Sequence, residues 1–410
     1  MAMLVAFVFG FIRYGVALIP PLALRVSAKK IAAILALPIA ATYLVLAGRD
    51  MATERAFVMV AVMLVAVLLD RQAITLRSVG IAAFVVLGLR PEALVNPGFQ
   101  MSFAASVALV SAFGAFRVAP ALARRGWVGA VGLLLFSSLV AGLATAPFAA
   151  AHFNRVAHLG LVANLLAVPV MGLVVMPGAV LMAILAPLGL DAPAVWLVEV
   201  GCRWILFVAN AVGGVAGAES AVVHPPFGVL PLITAGGLWL CLWQGKGRWV
   251  GILPCVLAFG MWAKSERPLI LIAPGGGLVG VIGVEGRAVN KATGDGFAAE
   301  TWIANDGEVI TQNDAFARPG WTGERRIWQA EVRGVSVLWV GGARAAAAVE
   351  GCGGADVLVS NVDAGPRPCL VFDAVRLAQT GAVAIDEALS VRTAAERTGA
   401  RYWTGVGVVD

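Results

Sequence analysis

Three stretches carry the side chains most able to do chemistry: Thr145-Ala146-Pro147-Phe148, His152-Phe153-Asn154-Arg155-Val156-Ala157-His158 and Asn164-Leu165-Leu166-Ala167-Val168-Pro169. They set imidazole, amide and guanidinium groups between two long apolar runs, with an amide and a proline inside the second. Amides donate and accept hydrogen bonds, and a guanidinium is a permanent cation. Such a set grips a polar or anionic partner. In a bilayer these groups are costly and face a bundle interior or an aqueous path. Proline-broken helices at membrane depth need protein or a water-filled cavity over the freed backbone. The pattern points to passage of a polar cargo.

Further candidates lie at the starts of other apolar runs. Arg55 follows Glu54 and reads either as a cation for an anionic cargo or as a snorkelling arginine paired with Glu54. Gln100, Ser102 and Ser106 open another run; Ser102 and Ser106 share a helical face. They form either a polar strip beside a path or a close helix contact. Asn154 and Asn164 have the alternatives of capping a helix end and bonding across helices. Arg203 lies in an apolar run with Glu199 one turn before it, so cavity lining and an i,i+4 ion pair are both open.

The elements that must hold these residues follow from composition. The 410 residues are 60% hydrophobic and 13% charged, against about 25% charged in ordinary soluble domains. Residues 1–267 carry a net charge of +10 and residues 268–410 one of −4. This marks a membrane domain at 1–267 and a small soluble α/β or α+β domain at 268–410. Apolar runs near 1–24, 31–47, 56–69, 78–95, 100–116, 128–150, 159–189, 192–213, 227–244 and 248–263 give about ten spans. Run 159–189 holds Pro169, Pro177 and Pro187, and is either one kinked span or two re-entrant halves. Loops 25–30, 70–77 and 117–125 sum to +7; the alternating loops 48–55, 90–99 and 151–158 sum to +1. The positive set belongs in the cytoplasm. If 159–189 crosses once, Lys246 and Arg248 join that set and the tail faces outward. No basic n-region or cleavage site precedes the first apolar run, and its abrupt start suggests missing sequence upstream.

In the tail, strands are expected at Leu269–Ile272, Val335–Val340 and Asp356–Val359, and helices at Ala343–Val349 and Val391–Thr398. Cys352 and Cys369 either pair, if the tail meets an oxidising compartment, or stay free. Gly275-Gly276-Gly277 is a turn; it lacks the Gly-Lys-Ser/Thr ending of a P-loop, so ATP hydrolysis is not expected. Trp127, Trp196, Trp204, Trp239, Trp243 and Trp249 mostly fall near span ends, as in an interfacial belt.

The string Leu89-Arg90-Pro91-Glu92-Ala93-Leu94, then Asn96-Pro97-Gly98-Phe99-Gln100-Met101-Ser102-Phe103, carries a resemblance. It is preceded by Ala47-Gly48, Thr53-Glu54-Arg55-Ala56 and Met59, and followed by the Phe153–Pro169 stretch. In this order and spacing the chain resembles the membrane domain of the ComEC-type competence family over roughly residues 1–265. The resemblance implies an inner-membrane channel that passes single-stranded DNA to the cytoplasm. It also implies a DNA receptor, a cytoplasmic helicase or ATPase and a second copy of the chain as partners. Arg55, Arg90, Gln100, Ser102, Asn154, Arg155, Asn164 and Arg203 would then line or gate the path. Family members usually have an N-terminal soluble domain and earlier helices, including a Gly-Leu-His stretch, which this sequence does not show. Many also end in a metallo-β-lactamase-like domain with a His-x-His-x-Asp-His motif. Here the histidines are His152, His158 and His224, none in the tail. A degenerate relative of that domain is expected, with no catalytic residues, metal or cofactor. Three other readings stay open: a small-molecule or anion transporter, a non-functional remnant, and a membrane-tethered hydrolase using Asp356, Asp363 and Asp373.

Overall fold

The computed structural model describes residues 1–19, 27–48, 50–116, 126–324 and 326–399. Arg25, Arg49, Arg117, Arg124 and Arg125, counted above as loop charges, lie outside the described residues. The chain forms two compact units. One comprises Met1–Ser220 with Phe227–Gly260; the other comprises Ala221–Pro226 and the chain from Met261 onward.

The first unit is helical. Its principal helices are α1 (Ala2–Ala17), α2 (Ala28–Leu46), α3 (Met51–Leu68), α4 (Leu76–Leu89), α5 (Pro97–Phe116), α6 (Gly126–Phe153), α7 (Gly160–Val170), α8 (Met176–Leu185), α9 (Ala192–Gly213) and α10 (Val229–Leu242). Polar N-caps start two of them where the sequence turns apolar: Asp50 accepts from Ala52 N–H, and Thr75 from Ser78 N–H. Among the described residues, six helical segments are long and apolar enough to cross a membrane: Ala28–Leu46, Met51–Leu68, Pro97–Ala115, Gly126–Phe153, Gly160–Leu188 and Ala192–Gly213. Ala2–Ala17, Leu76–Leu89 and Val229–Leu242 are apolar but shorter. The expectation of about ten spans is therefore met by six on length alone.

The run with three prolines resolves as one rod. Right-handed helical backbone continues from α7 through a π-helical turn at Met171–Val175 into α8, then a 3-10 turn at Ala186–Leu188. The wide turn follows Pro169, whose ring excludes the ordinary ladder bond. Trp204 donates to the Leu166 carbonyl one turn before the interruption. The rod runs antiparallel to α9. A Cβ on Gly178 would fall 2.9 Å from Val198, and one on Gly201 2.6 Å from Val175. These glycines let the backbones approach where the rod is interrupted. Strand β1 (Arg155–Ala157), before the rod, pairs with β2 (Glu219–Ala221), after α9. That pairing requires an out-and-back excursion between them; a rod that doubled back on itself would leave the two strands at opposite ends.

In the second unit, after α11 (Ile252–Ala263), two five-stranded sheets pack face to face. One is antiparallel, in the order β12-β11-β3-β4-β5: Val391–Thr393, Val383–Ile385, Ile270–Ile272, Val279–Gly283, Gly286–Val289. The other is mixed, in the order β10-β9-β8-β7-β6: Leu370–Phe372, Val357–Ser360, Val335–Val340, Ile327–Val332, Thr322–Glu324. The period-two pattern decides the layers. Val335, Val337 and Trp339 of β8 face the inter-sheet core with Ile270, Val281 and Val359. Leu338 and Val340, alternating with them, face the helix α14 (Ala343–Ala348) through Ala346. On the outer face of the first sheet, α12 (Gly296–Asn305) and α13 (Gln312–Ala317) bury Trp302, Ile303 and Ala315 against Leu278 and Val289. The order is helix, sheet, sheet, helix.

The helix expected over Val391–Thr398 begins late. Val391–Thr393 extends as β12 beside β11, and the helix α15 spans Ala394–Thr398. A capping box sets the switch: Thr393 Oγ1 accepts from Glu396 N–H, and Glu396 Oε2 accepts from Thr393 N–H. The Gly275–Gly277 turn packs tightly. Gly276 has φ +64, its Cβ would lie 2.4 Å from the Ser360 carbonyl oxygen, and its own carbonyl accepts from Trp339 at 2.8 Å.

No local sequence pattern announces the ionic network of this unit. Arg287 is fully buried; it pairs in bidentate fashion with buried Asp306 and donates to the carbonyls of Gly280 and Pro268. Arg267 donates to the Asp306 carbonyl, and Arg318 pairs with Glu308 at 2.5 Å. Replacing Arg287 by Met would strand the Asp306 charge and cost about 3–5 kcal/mol. Arg287→Met with Asp306→Leu should cost less than the single change. Hydrogen exchange over β4 and β5 in the full chain checks this; equal loss of protection in both variants would refute it.

Candidate functional site: a polar collar at one end of the helical unit

Up-and-down connection carries the polar residues of distant helices to one end. The N-terminus of α3 meets the C-terminus of α4 through Glu54 and Arg90, 2.9 Å apart. The N-terminus of α5 joins them, because the guanidinium of Arg55 lies 2.7 Å from where a Cβ on Gly98 would stand. Gln100, in the first turn of α5, meets His152, in the last turn of α6, at 2.8 Å. Asn154, Arg155 and the β1–β2 ribbon follow directly. The opposite end is marked by Lys30 and Asp70, 2.6 Å apart, and by Arg248, which donates to the Leu240 carbonyl near the end of α10.

Local sequence explains each position. Asn96 precedes Pro97, the first residue of α5, and its Oδ1 accepts from Gly98 N–H at 2.9 Å while its carbonyl accepts from Gln100 N–H. This is an N-cap followed by a proline, the pattern that starts a helix abruptly. A 3-10 turn at Pro91–Val95 carries the chain from Arg90 to this cap. Gln100 Nε2 donates to the Leu94 carbonyl of that turn at 3.0 Å. Its Oε1 therefore accepts from His152, which fixes the proton of the imidazole on Nε2. The chain of bonds ties the Arg90 turn to the end of α6.

Asn154 is buried in the left-handed conformation, φ +55, with its N–H on the Ala150 carbonyl. That is a helix-ending position that favours Asn among non-glycine residues, so the capping alternative describes its backbone. Arg155 projects from β1 onto Glu219 of β2 at 2.6 Å, and His158 meets Ser220 at 2.8 Å. Ser102 is half-buried; its carbonyl accepts from Ser106 Oγ at 2.8 Å. Asn164 is exposed on α7 one turn beyond its start. Arg203 forms the i,i+4 pair with Glu199 at 2.7 Å in the middle of α9, away from the collar. The structure thus gathers Arg55, Arg90, Gln100, Asn154 and Arg155 at one end, with Ser102 and Asn164 a turn inward. It leaves Arg203 apart.

Between α3, α4 and the 3-10 turn lies a cleft of about 30 Å3, lined by Glu54, Arg55, Val86, Arg90, Ala93 and Phe99. Glu54 and His152 were not among the site residues read from the sequence. Their partners lie 36 and 52 residues away, and no local pattern announces such pairs.

This architecture has a family counterpart. The model of the competence protein family matches residues 1–247. The chain belongs to the competence protein family. No curated protein and no solved structure matches it. Membership agrees with the apolar helices in identifying a membrane protein and connects it with DNA uptake. The match ends after α10, so the collar lies within the family region and the two five-stranded sheets outside it.

In the second unit, the three aspartates considered for hydrolysis each accept from backbone. Asp356 accepts from Ser336 N–H and Oγ, Asp363 from Gly365 N–H, and Asp373 from Arg376 and Ala364 N–H. Among the described residues no group of three or more His, Cys, Asp or Glu side chains is placed to hold a metal. Cys352 and Cys369 form a disulfide with Cα atoms 6.2 Å apart. Beside it Arg367 donates to the carbonyls of Ala346, Val349 and Gly351 at the end of α14.

The Ser336 bonds, backbone first, hold the Asp356 carboxyl below its usual range. A lowered folded pKa stabilises fully above the unfolded value, about 3.9, and is lost as pH falls through the folded value. Asp356→Asn should therefore weaken exchange protection at the β8–β9 junction equally at neutral and mildly acidic pH. The difference from wild type should vanish only in strong acid. A difference that grows on acidification would contradict this.

Proposed function

We propose that this competence-family protein is a channel passing single-stranded DNA across the inner membrane into the cytoplasm. The observation that carries the reading is the collar: cations, amides and imidazoles from four helices and a β-ribbon meet at one end of the helical unit. A single strand presents phosphates and unpaired base edges, and a narrow basic groove tracks such a backbone without reading its sequence. Arg55, Arg90 and Arg155 would meet phosphates, and Gln100, Asn154 and Asn164 base edges.

The loops at the collar end carry little net charge, and those at the other end carry the positive excess. That difference supports an outward-facing collar acting as the entrance. The out-and-back course of the rod and α9 supports the same side for the chain leaving α11, and hence an outward tail. The Cys352–Cys369 pair suits an oxidising compartment. Counting the shorter helices, including α11, as crossings brings the total to ten. The tail, with two packed sheets and no histidine, fits a degenerate metallo-β-lactamase-like domain; we assign it no catalysis. The driving force would come from a cytoplasmic helicase or ATPase, and the strand from an outer receptor.

The test is DNA uptake in cells deleted for the gene and complemented with the 410-residue chain, then with Arg155→Ala and Asn164→Ala. DNA should accumulate outside the cytoplasm in the deletion and enter with the chain, and entry should fall about tenfold or more with the variants. Normal uptake in the deletion would remove the DNA reading. Separately, Cys352 and Cys369 should react with a membrane-impermeant maleimide on intact spheroplasts only after reduction. Labelling only after lysis would place the tail inside.

A further inference from the structure

The cleft beside Arg90 shows how a phosphate would be received. Arg55 is half-buried and lines this cleft, yet its guanidinium makes no hydrogen bond or ion pair among the described residues. Asp50 attracts it through space, but an Asp50 oxygen already caps α3 at Ala52 N–H. A planar fork of five donors is thus held against the start of α5 with no acceptor bonded to it among the described residues. Arg90, on the other wall, is engaged by Glu54 at 2.9 Å, with Glu92 at 4.0 Å on the exposed side. A carboxylate on an arginine occupies the geometry that a phosphate would take. The free space of about 30 Å3 holds roughly a water. A phosphodiester therefore fits only if the Glu54 carboxylate leaves.

We propose that this cleft is a docking station for one phosphodiester of the strand, and that Glu54 occupies Arg90 until a phosphate replaces it. The inference rests on the strand-channel reading and adds a latch to it. With the latch closed, Arg55 and Arg90 face three carboxylates, Asp50, Glu54 and Glu92, so small anions find no net positive charge. A polyanion supplies successive phosphates at high local concentration and displaces the carboxylate. Arg55, already facing the space, takes the second phosphate oxygen.

The full chain in nanodiscs would be titrated with a fluorescent oligothymidylate and with its neutral methylphosphonate counterpart, across a salt series. Glu54→Gln frees Arg90 and should tighten binding of the phosphate-bearing oligomer about fivefold, leaving the neutral oligomer unchanged. Arg55→Gln and Arg90→Gln should each lower the salt slope by about 0.7, and Arg90→Lys should keep it. The conservative Glu54→Gln and Arg90→Lys variants guard against simple misfolding, which gel filtration reveals. Unchanged or weaker binding by Glu54→Gln would overturn the latch, as would a salt slope that ignores both arginines; neither touches the uptake result. Displacement of the oligomer by phosphatidylglycerol in the discs, abolished by Arg90→Gln, would assign the cleft to a lipid headgroup and overturn the proposal. Normal uptake in the deletion strain with the Glu54→Gln effect intact would leave a phosphodiester site and remove the channel.

Discussion

Within an apolar helical unit every polar group must be answered by another group of the protein, because hydrocarbon supplies no partner. That constraint organises the first unit. Trp204 answers the Leu166 carbonyl near the π-turn, Ser111 answers the Cys241 carbonyl across two helices, and Arg248 answers Leu240 at a helix end. At the collar the same demand links side chains across helices: Gln100 with His152 and Leu94, Arg90 with Glu54, Arg155 with Glu219. The collar is thus a set of bolts between helix ends. Arg55 differs: among the described residues its guanidinium has no bonded partner and its donors face a cleft. A half-buried cation without a partner beside a cleft is a place for a ligand.

The tail meets the same requirement with different chemistry. Its two sheets bury apolar side chains on both faces, and the edge of that core is closed by Arg287 and Asp306. A buried charge pair is poor evidence of net stability, but each partner holds the other in place. The bonds from Arg287 to Gly280 and Pro268, and from Arg318 to the Arg287 carbonyl, fix the course of β5 against the strands beside it. The disulfide and Arg367 do similar work at the end of α14, whose six residues form too few ladder bonds to hold themselves.

Local signals were legible where local physics decides. The strands at Ile270, Val335 and Val357 read from β-branched runs between glycines, and the Asn96-Pro97 start of α5 from cap chemistry. The helix expected at Val391 failed because a β-branched residue beside an open sheet edge extends, and only the capping box at Thr393 turns the chain. Arg203 was ambiguous in the sequence because an i,i+4 acid can answer an arginine on its own helix, and Glu199 does. Glu54, His152 and Asp306 were not legible as partners, since each pairing depends on how whole elements return to one place.

The course of the proline-rich rod shows why such non-local facts matter. From sequence, two readings of residues 159–189 stay open, and they put everything after them on opposite sides of a membrane. Proline content cannot separate them, because a kinked span and a re-entrant loop both need it. Three-residue strands do: β1 and β2 share a ladder only if the excursion between them returns to its origin. The antiparallel contacts of Gly178 with Val198 and of Gly201 with Val175 independently require the same return. A small polar ribbon thus fixes the course of a large apolar unit, and it sits directly after buried Asn154 at the end of α6.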